Sequence, residues 1–147
     1  MRPLYIFDLD GTIANIDHRR PLLDNKEDSH RWERFFEACD KDEPNKDVIS
    51  TMFSLSKEAN LFIWSGRSES VREKTISWLF NLNIALGVKM RPEGDYTPDE
   101  QLKERWLNEM SKEDRERLVA VFDDRQKVVD MWRRNGVTCF QVAKGDF

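Results

Sequence analysis

The sequence predicts a three-layer α/β domain: a parallel sheet with helices on both faces and a small helical insertion after the first strand. Three observations predict it. Short apolar runs alternate with amphipathic stretches of helical spacing along the chain, the order that produces parallel strands joined by crossover helices. Unusual polar groups follow three of those runs directly: Asp8 and Asp10, Ser65 and Arg67, and Asp123 and Asp124. Ligands of open parallel sheets sit beyond the carboxyl ends of the strands, so these groups should line one edge. Finally, 147 residues that are 39% hydrophobic and 35% charged suit one soluble, globular domain (1–147) with its own core.

The first strand is the apolar run 4–7. It ends in Asp8-Leu9-Asp10-Gly11-Thr12, two carboxylates two residues apart with a glycine turning the chain. Residues 13–21 are polar, carry both signs of charge and read as a loop crossing the mouth of the site. Arg19 and Arg20 there either balance the acids or contact an anionic substrate. Residues 24–60 read as the helical insertion, a possible lid. Within it, 29–40 place Trp32, Phe35, Phe36 and Cys39 on one helical face, which suits core packing or a cover over the site. Residues 42–46 have turn chemistry. Asp47 reads as the N-cap of a second helix whose apolar face is Val48, Ile49, Met52, Phe53 and Leu55.

The second strand, 61–64, is expected to stop at Ser65-Gly66-Arg67-Ser68 and to give way to a helix over 69–81. Such a junction can face an anion with backbone N–H groups and a helix N-terminus, with the Ser65 hydroxyl and the planar Arg67 fork as further donors. It is equally the pattern of an ordinary strand-to-helix turn with a solvated arginine. Val71, Thr75, Trp78, Leu79 and Phe80 are the inward candidates of that helix. A weaker strand spans 84–90 and a loop 91–98. Thr97 and Pro98 read as the cap and first residue of a helix, whose core face is Leu102, Trp106, Leu107 and Met110. Asp99 and Lys103, four apart, share a face; they make either a surface ion pair of little value or a lysine aimed at a phosphoryl oxygen. Residues 111–116 read as a charged turn and 118–122 as the clearest buried strand. A helix over 126–135 stops at Gly136, and 137–142 form the last strand.

The formal net charge is −4, which argues against a large sequence-independent nucleic-acid surface but leaves room for a local basic pocket. No apolar run reaches the length of a membrane span, and the Met-Arg-Pro start lacks a signal-peptide layout. Cys39 and Cys139 fit no metal-binding spacing and are expected to pack as small apolar residues in a reducing cytoplasm. No membrane partner is expected.

Asp8, Asp10, Asp123 and Asp124 bring four acids from two strand ends. Like charges that close call for a cation, and an oxygen-rich site that can also take substrate phosphate suits Mg2+. Ser65, Lys103 and several arginines supply donors around it. An acidic metal site ringed by cationic donors is what phosphoryl transfer requires. One of the first pair of acids would attack phosphorus, and the other would move protons.

These stretches resemble the four motifs of the haloacid dehalogenase (HAD) phosphatase superfamily: Asp8-Leu9-Asp10-Gly11-Thr12, Ser65-Gly66-Arg67, Lys103, and Asp123-Asp124. Over essentially the whole chain, and most strongly from Leu61 onward, the sequence also resembles the 3′-phosphatase domain of the phage polynucleotide kinase-phosphatases. That likeness rests on the tail 129–147, on Arg91 ahead of Gly94-Asp95, on Asp99 with Lys103, and on Asp123-Asp124-Arg125. The resemblance implies a Rossmann-like, HAD-type sheet. It makes Asp8 the nucleophile and Asp10 the general acid and base. Mg2+ would be held by Asp8, the Asp10 backbone carbonyl and Asp123, with support from Asp124. Ser65 and Lys103 would bind the transferred phosphate, Asp99 would orient Lys103, and Arg19, Arg67 and Arg91 would face the substrate.

Two departures stand out. There is no Gly-x-x-x-x-Gly-Lys-Ser/Thr motif, so no kinase domain and no 5′-kinase activity are expected of this chain. The 24–46 insertion, with its aromatic cluster, is longer than in the resembled family. The expected activity is a Mg2+-dependent phosphomonoesterase acting on 3′-phosphorylated DNA or RNA ends or nucleotides. The alternatives are a 5′-nucleotidase or general small-molecule phosphatase of the same superfamily, and a non-catalytic binder of phosphorylated ends.

Overall fold

The computed structural model describes residues 1–146; Phe147, the last residue of the tail that carries the resemblance, lies outside the described residues. In chain order the elements are β1 (Leu4–Phe7), β2 (Ala14–Asn15), α1 (Arg31–Glu37), β3 (Glu43–Pro44), α2 (Lys46–Ser56), β4 (Asn60–Ser68), α3 (Arg72–Asn81), β5 (Val88–Arg91), α4 (Asp99–Asn108), α5 (Lys112–Arg117), β6 (Leu118–Asp123), α6 (Gln126–Arg134) and β7 (Cys139–Gln141). Short 3-10 helices span Arg20–Leu23, Ala38–Lys41 and Glu69–Val71.

Five strands form one parallel sheet in the order β5-β4-β1-β6-β7. The chain leaves the central β1 toward β4 and β5 on one side and later returns to β6 and β7 on the other. That reversal opens a crevice at the carboxyl end of β1, where such sheets place their ligands.

Side chains alternate between the two faces of each strand, and this alternation builds two cores. Phe7, Leu61, Ile63 and Val88 pack with Ile49 and Met52 of α2 and Leu79 of α3. Ile6, Trp64 and Val121 pack on the opposite face with Leu102 and Trp106 of α4 and Val128 and Trp132 of α6. Each large side chain buried this way contributes roughly 1.5–3 kcal/mol. Phe7 stacks on Phe122 of β6 with ring centroids 4.4 Å apart, which ties the central strand pair together just beneath their acidic ends.

The expected helical insertion over 24–60 divides in two. Residues 20–41 form the small helical unit, and β2 pairs antiparallel with β3 beneath it. By contrast α2 is the crossover from β1 to β4, with Ile49 and Met52 in the main core, so it is a layer helix and not a lid. Residues 13–21, read as loop, contain β2. Asn45, not Asp47, stands at the N-cap of α2, and Phe53 is exposed. The 29–40 helix is shorter than its aromatic period suggested, and Trp32 points outward.

Further expectations are corrected. Strand β4 does not stop at Ser65 but runs through Arg67 to Ser68, because pairing resumes with β5 at Ser68 after a register shift. The helix behind it therefore starts later, at Arg72, and its N-terminus is not at Ser65-Arg67. Phe80 is exposed rather than inward. Pro98 occupies the N-cap of α4, while the Thr97 hydroxyl donates to Asp95. The charged stretch after Ser111 is helix α5, capped by the Ser111 hydroxyl, which accepts from the Asp114 amide.

Candidate active site

Asp8 follows β1 directly, and its amide still bonds Phe122 of β6 at 2.9 Å, so the sheet fixes where its carboxylate begins. After it the chain folds back sharply: the amides of Thr12, Ile13 and Ala14 all reach the Leu9 carbonyl. Gly11 makes that turn at φ +82°, a conformation that favours glycine. A Cβ there would also overlap the carboxylate of Asp124.

Asp123 ends β6 and Asp124 follows it, one strand away from Asp8. Among the described residues, Asp8, Asp123 and Asp124 are a buried group whose carboxylate oxygens converge within 4.8 Å of one another. Lys103 reaches into the group from α4. Its Nζ donates to Asp8 Oδ1 at 2.6 Å and to Asp123 Oδ2 at 3.1 Å. The Thr12 hydroxyl donates to the other Asp8 oxygen at 3.3 Å, and the Trp132 indole N–H donates to Asp123 at 3.3 Å. Three carboxylates against one ammonium leave an excess of two negative charges in a buried site, the deficit that one divalent cation with oxygen ligands makes up. Burial, then the neighbouring Asp123, raise the Asp8 carboxyl well above the usual range despite Lys103. The same two causes push Asp124 up to about 6. Burial opposes the charge on Lys103, but Asp123 and Asp8 more than offset it and drive its ammonium pKa up.

The Asp10 side chain turns away from this group. Its Oδ1 accepts from Arg19 Nη2 at 2.7 Å and from Arg67 Nε at 2.8 Å. Burial would raise its pKa, yet the Arg67 and Arg19 guanidiniums hold it below the ordinary value. Asp10 is therefore ionised, the form that accepts a proton. Its carboxylate is not among the acids that converge with Asp8.

Arg19 and Arg67 are fully buried. Besides Asp10, both bind Asp42: Arg19 through Nε and Nη2 at 2.8 Å each, Arg67 through Nη2 at 2.9 Å. Asp42 also takes His18 Nε2 at 2.6 Å. Sequence reasoning missed Asp42, which lies among turn acids; Asp40 and Glu43 on either side are exposed while Asp42 is buried, and no spacing signal separates the three.

Ser65 is buried in β4, and its hydroxyl accepts from the Arg67 amide at 3.1 Å. Arg91, at the end of β5, bonds the Gly66 carbonyl at 2.8 Å and Asp99 Oδ1 at 2.6 Å. Arg125 holds the other Asp99 oxygen at 2.9 Å. The expected direct grip of Asp99 on Lys103 is thus replaced: two guanidiniums occupy the Asp99 carboxylate, Lys103 turns to Asp8 and Asp123, and Asp99 acts on it only through charge. The glycine between Ser65 and Arg67 is required here, because a Cβ on Gly66 would meet Asp99. The structure brings Asp8, Lys103, Asp123 and Asp124 into one cluster, and Asp10, Arg19 and Arg67 into an adjoining one.

The chain matches the family of the polynucleotide kinase PNKP phosphatase domain over residues 2–147. It belongs to that family. This PNKP-type domain is a phosphatase domain with the HAD fold. It is 31% identical over 142 residues to a protein of Autographa californica nuclear polyhedrosis virus whose provisional name is bifunctional polynucleotide kinase/RNA ligase, covering 93% of this chain and 19% of the relative. It superposes on a chain of the Pnkp1/Rnl/Hen1 RNA repair complex with a TM-score of 0.81 at 32% identity, covering 99% of this chain and 44% of that one. The chain thus spans under half of these relatives. The class C acid phosphatase of Bacillus anthracis shares the fold, with a TM-score of 0.57 at 14% identity over 86% of this chain and 53% of its own. No helix among the described residues is long and apolar enough to cross a membrane.

Proposed function

We propose that the domain is a Mg2+-dependent phosphomonoesterase that removes 3′-phosphate from nucleic-acid ends or nucleotides through a phosphoaspartate on Asp8. The observation that carries this reading is the Lys103 ammonium seated between Asp8 and Asp123 in a buried tri-carboxylate cluster. The cluster fits Mg2+ by donor type and by charge, with Asp8, Asp123 and Asp124 as the side chains that would hold it. When bound, the ion would offset charge on the phosphoryl oxygens.

In the first step an Asp8 oxygen attacks phosphorus, the bond from phosphorus to the ester oxygen breaks, and the leaving oxygen takes the proton that Asp10 carries at this stage and regains from water in the second. Lys103 and the Ser65 hydroxyl stand by to bind the phosphoryl oxygens. In the second step water attacks the phosphoaspartate, Asp10 accepts its proton, and inorganic phosphate leaves with Asp8 regenerated. The ionised, arginine-held state of Asp10 suits this second role. Donating a proton in the first step requires the Arg19–Arg67 grip on Oδ1 to relax. Preference for 3′ ends is drawn from the family and from the polynucleotide chemistry in its relatives' names.

A phosphate-release panel with Mg2+ over matched 3′- and 5′-phosphorylated nucleotides and oligonucleotides tests the reading. Release from the 3′ series is expected, with Asp8→Asn falling to background while remaining folded. Activity confined to the 5′ series would overturn the specificity, and full activity of Asp8→Asn would overturn the nucleophile.

A further inference from the structure

We propose that the C-terminal segment 141–145 is a clasp that aims the Asp123–Asp124 pair into the site, with Gln141 and Gly145 as its positioning residues, and that this clasp sets the affinity for Mg2+. The second half rests on the reading of these acids as a Mg2+ site. Strand β6 ends at Asp123, so the ladder that fixes the main chain stops where the two acids begin. Its pairing with β7 ends at the same level, with Asp123 beside Gln141. Asp124 lies one residue beyond, yet it is buried and its carboxylate converges with those of Asp8 and Asp123. Like charges at that range repel, and a turn free to move would relieve the repulsion by swinging Asp124 outward.

The end of the chain closes that route. The Asp123 carbonyl accepts from the Val142 amide at 3.0 Å, and the Asp124 carbonyl accepts from the Gln141 side-chain amide at 3.1 Å. The same Gln141 amide donates to the Gln126 side-chain oxygen at 3.0 Å. After Ala143 and Lys144, both exposed, the chain returns: Gly145 is buried, and its carbonyl accepts from the Gln126 amide at 2.6 Å. The amides of Asp124 and Arg125 go to Asp123 Oδ1 within the turn itself. Both carbonyls of the acid pair and the first amide of α6 therefore depend on 141–145, and a buried main-chain group left without its partner is costly.

Gly145 shows how closely the segment is applied. A Cβ there would overlap the Asp124 carbonyl and the Arg125 Cα. Those are main-chain atoms, not the far end of a flexible side chain, so an added methyl has to lift the segment away or push the acid turn. At the carboxylate end, Asp124 is bounded by Gly11, where a Cβ would overlap its side chain. Asp124 is thus held between two glycines, one facing its main chain and one its carboxylate. A cation that meets a preset pair does not have to order it first, which is why groups behind metal-binding side chains set affinity.

The test compares Gly145→Ala and Gln141→Met, which keeps the side-chain length and removes the donor, with Ala143→Ser at an exposed position of the same segment. On substrate-free protein, the Kd for Mg2+ is read by competition with Mn2+, followed through the electron paramagnetic resonance signal of free Mn2+. In EDTA, amide hydrogen exchange is followed at Asp124, Arg125 and Gln126, and the urea unfolding midpoint is measured. Gly145→Ala and Gln141→Met should each weaken Mg2+ binding about tenfold, the low end for loss of a group that orients a metal-binding side chain. Both should also speed exchange at those three amides, and Ala143→Ser should move neither quantity. A role in stability alone would lower the urea midpoint and leave the Kd of the folded protein unchanged. An unchanged Kd in both Gly145→Ala and Gln141→Met overturns the proposal. If the unaltered chain binds neither Mn2+ nor Mg2+, the metal reading fails instead, and exchange alone judges the clasp: an unchanged rate at the three amides overturns it.

Discussion

Arg19 and Arg67 share both of their carboxylate partners: each binds Oδ1 of Asp10 and each binds Asp42. They come from segments on either side of the helical unit, and Arg67 is further fixed by the Thr75 hydroxyl at 3.0 Å. Two buried guanidiniums and two carboxylates balance in charge, and each of these bonds is charge-assisted. The square fixes Asp10 without adding anything to the neighbouring acidic cluster.

Removing Asp42 unbalances that square. Asp42→Ala leaves two buried guanidiniums with one carboxylate, and breaking a buried pair from one side costs about 3–5 kcal/mol. A urea unfolding midpoint should fall accordingly, and phosphate release should fall with it as Asp10 loses its fixed position. A variant of unchanged stability would show that water or a shifted side chain replaces Asp42.

The acidic cluster makes the metal-free protein sensitive to pH. Burial and Asp123 raise Asp124 to about 6 from an ordinary value of 3.8. A raised acid favours folding most when protonated, so its contribution is complete below pH 3.8 and is lost as pH rises through about 6. The loss is roughly 3 kcal/mol. In EDTA, the stability difference between Asp124→Asn and the unaltered chain should therefore grow in favour of the variant across that window. Mg2+ should reverse the order above pH 6. A difference that does not change with pH would exclude Asp124 as the source.

Gly11 and Gly136 separate backbone strain from collision. Both have positive φ, +82° and +74°, but a Cβ on Gly136 meets nothing within 4 Å while one on Gly11 overlaps Asp124. Gly136→Ala should cost about 1 kcal/mol, the strain of the left-handed conformation. Gly11→Ala should cost more and should also weaken Mg2+ dependence of activity, because Asp124 has to move. Equal losses in stability and metal response would show that the collision is relieved elsewhere.

Neither cysteine should react while the domain is folded. Cys39 and Cys139 are buried, and burial raises both thiols, Cys139 up to about 12, so the reactive thiolate is scarce. Iodoacetamide should label both only above the unfolding midpoint, as read by intact mass. Labelling at native conditions would mean that one of the two helical layers opens locally.

The alternation of apolar runs and amphipathic stretches was enough to read a parallel sheet and the chain order of its elements, and acids or a hydroxyl placed directly after the apolar runs 4–7, 61–64 and 118–122 were enough to mark its candidate working edge. These signals are local: side-chain period and strand-end composition are written in consecutive residues. Errors arose where neighbours distant in sequence decide the outcome. Strand β4 continues past Ser65 because β5 pairs with it again at Ser68. Helix α2 is a layer helix because Ile49 and Met52 find the sheet.

By itself, then, the sequence determined the fold class, the family and the residue types at the strand ends. Tertiary structure decided which charges meet. Asp99 and Lys103 are one helical turn apart, yet Asp99 goes to Arg91 and Arg125 while Lys103 goes to Asp8 and Asp123. Asp42 sits between exposed acids, yet it alone is drawn in by two buried arginines. The physical reason is the same in each case: burial makes an unpaired charge so costly that partners are chosen by whatever the fold brings within hydrogen-bond reach, and sequence spacing does not encode that distance.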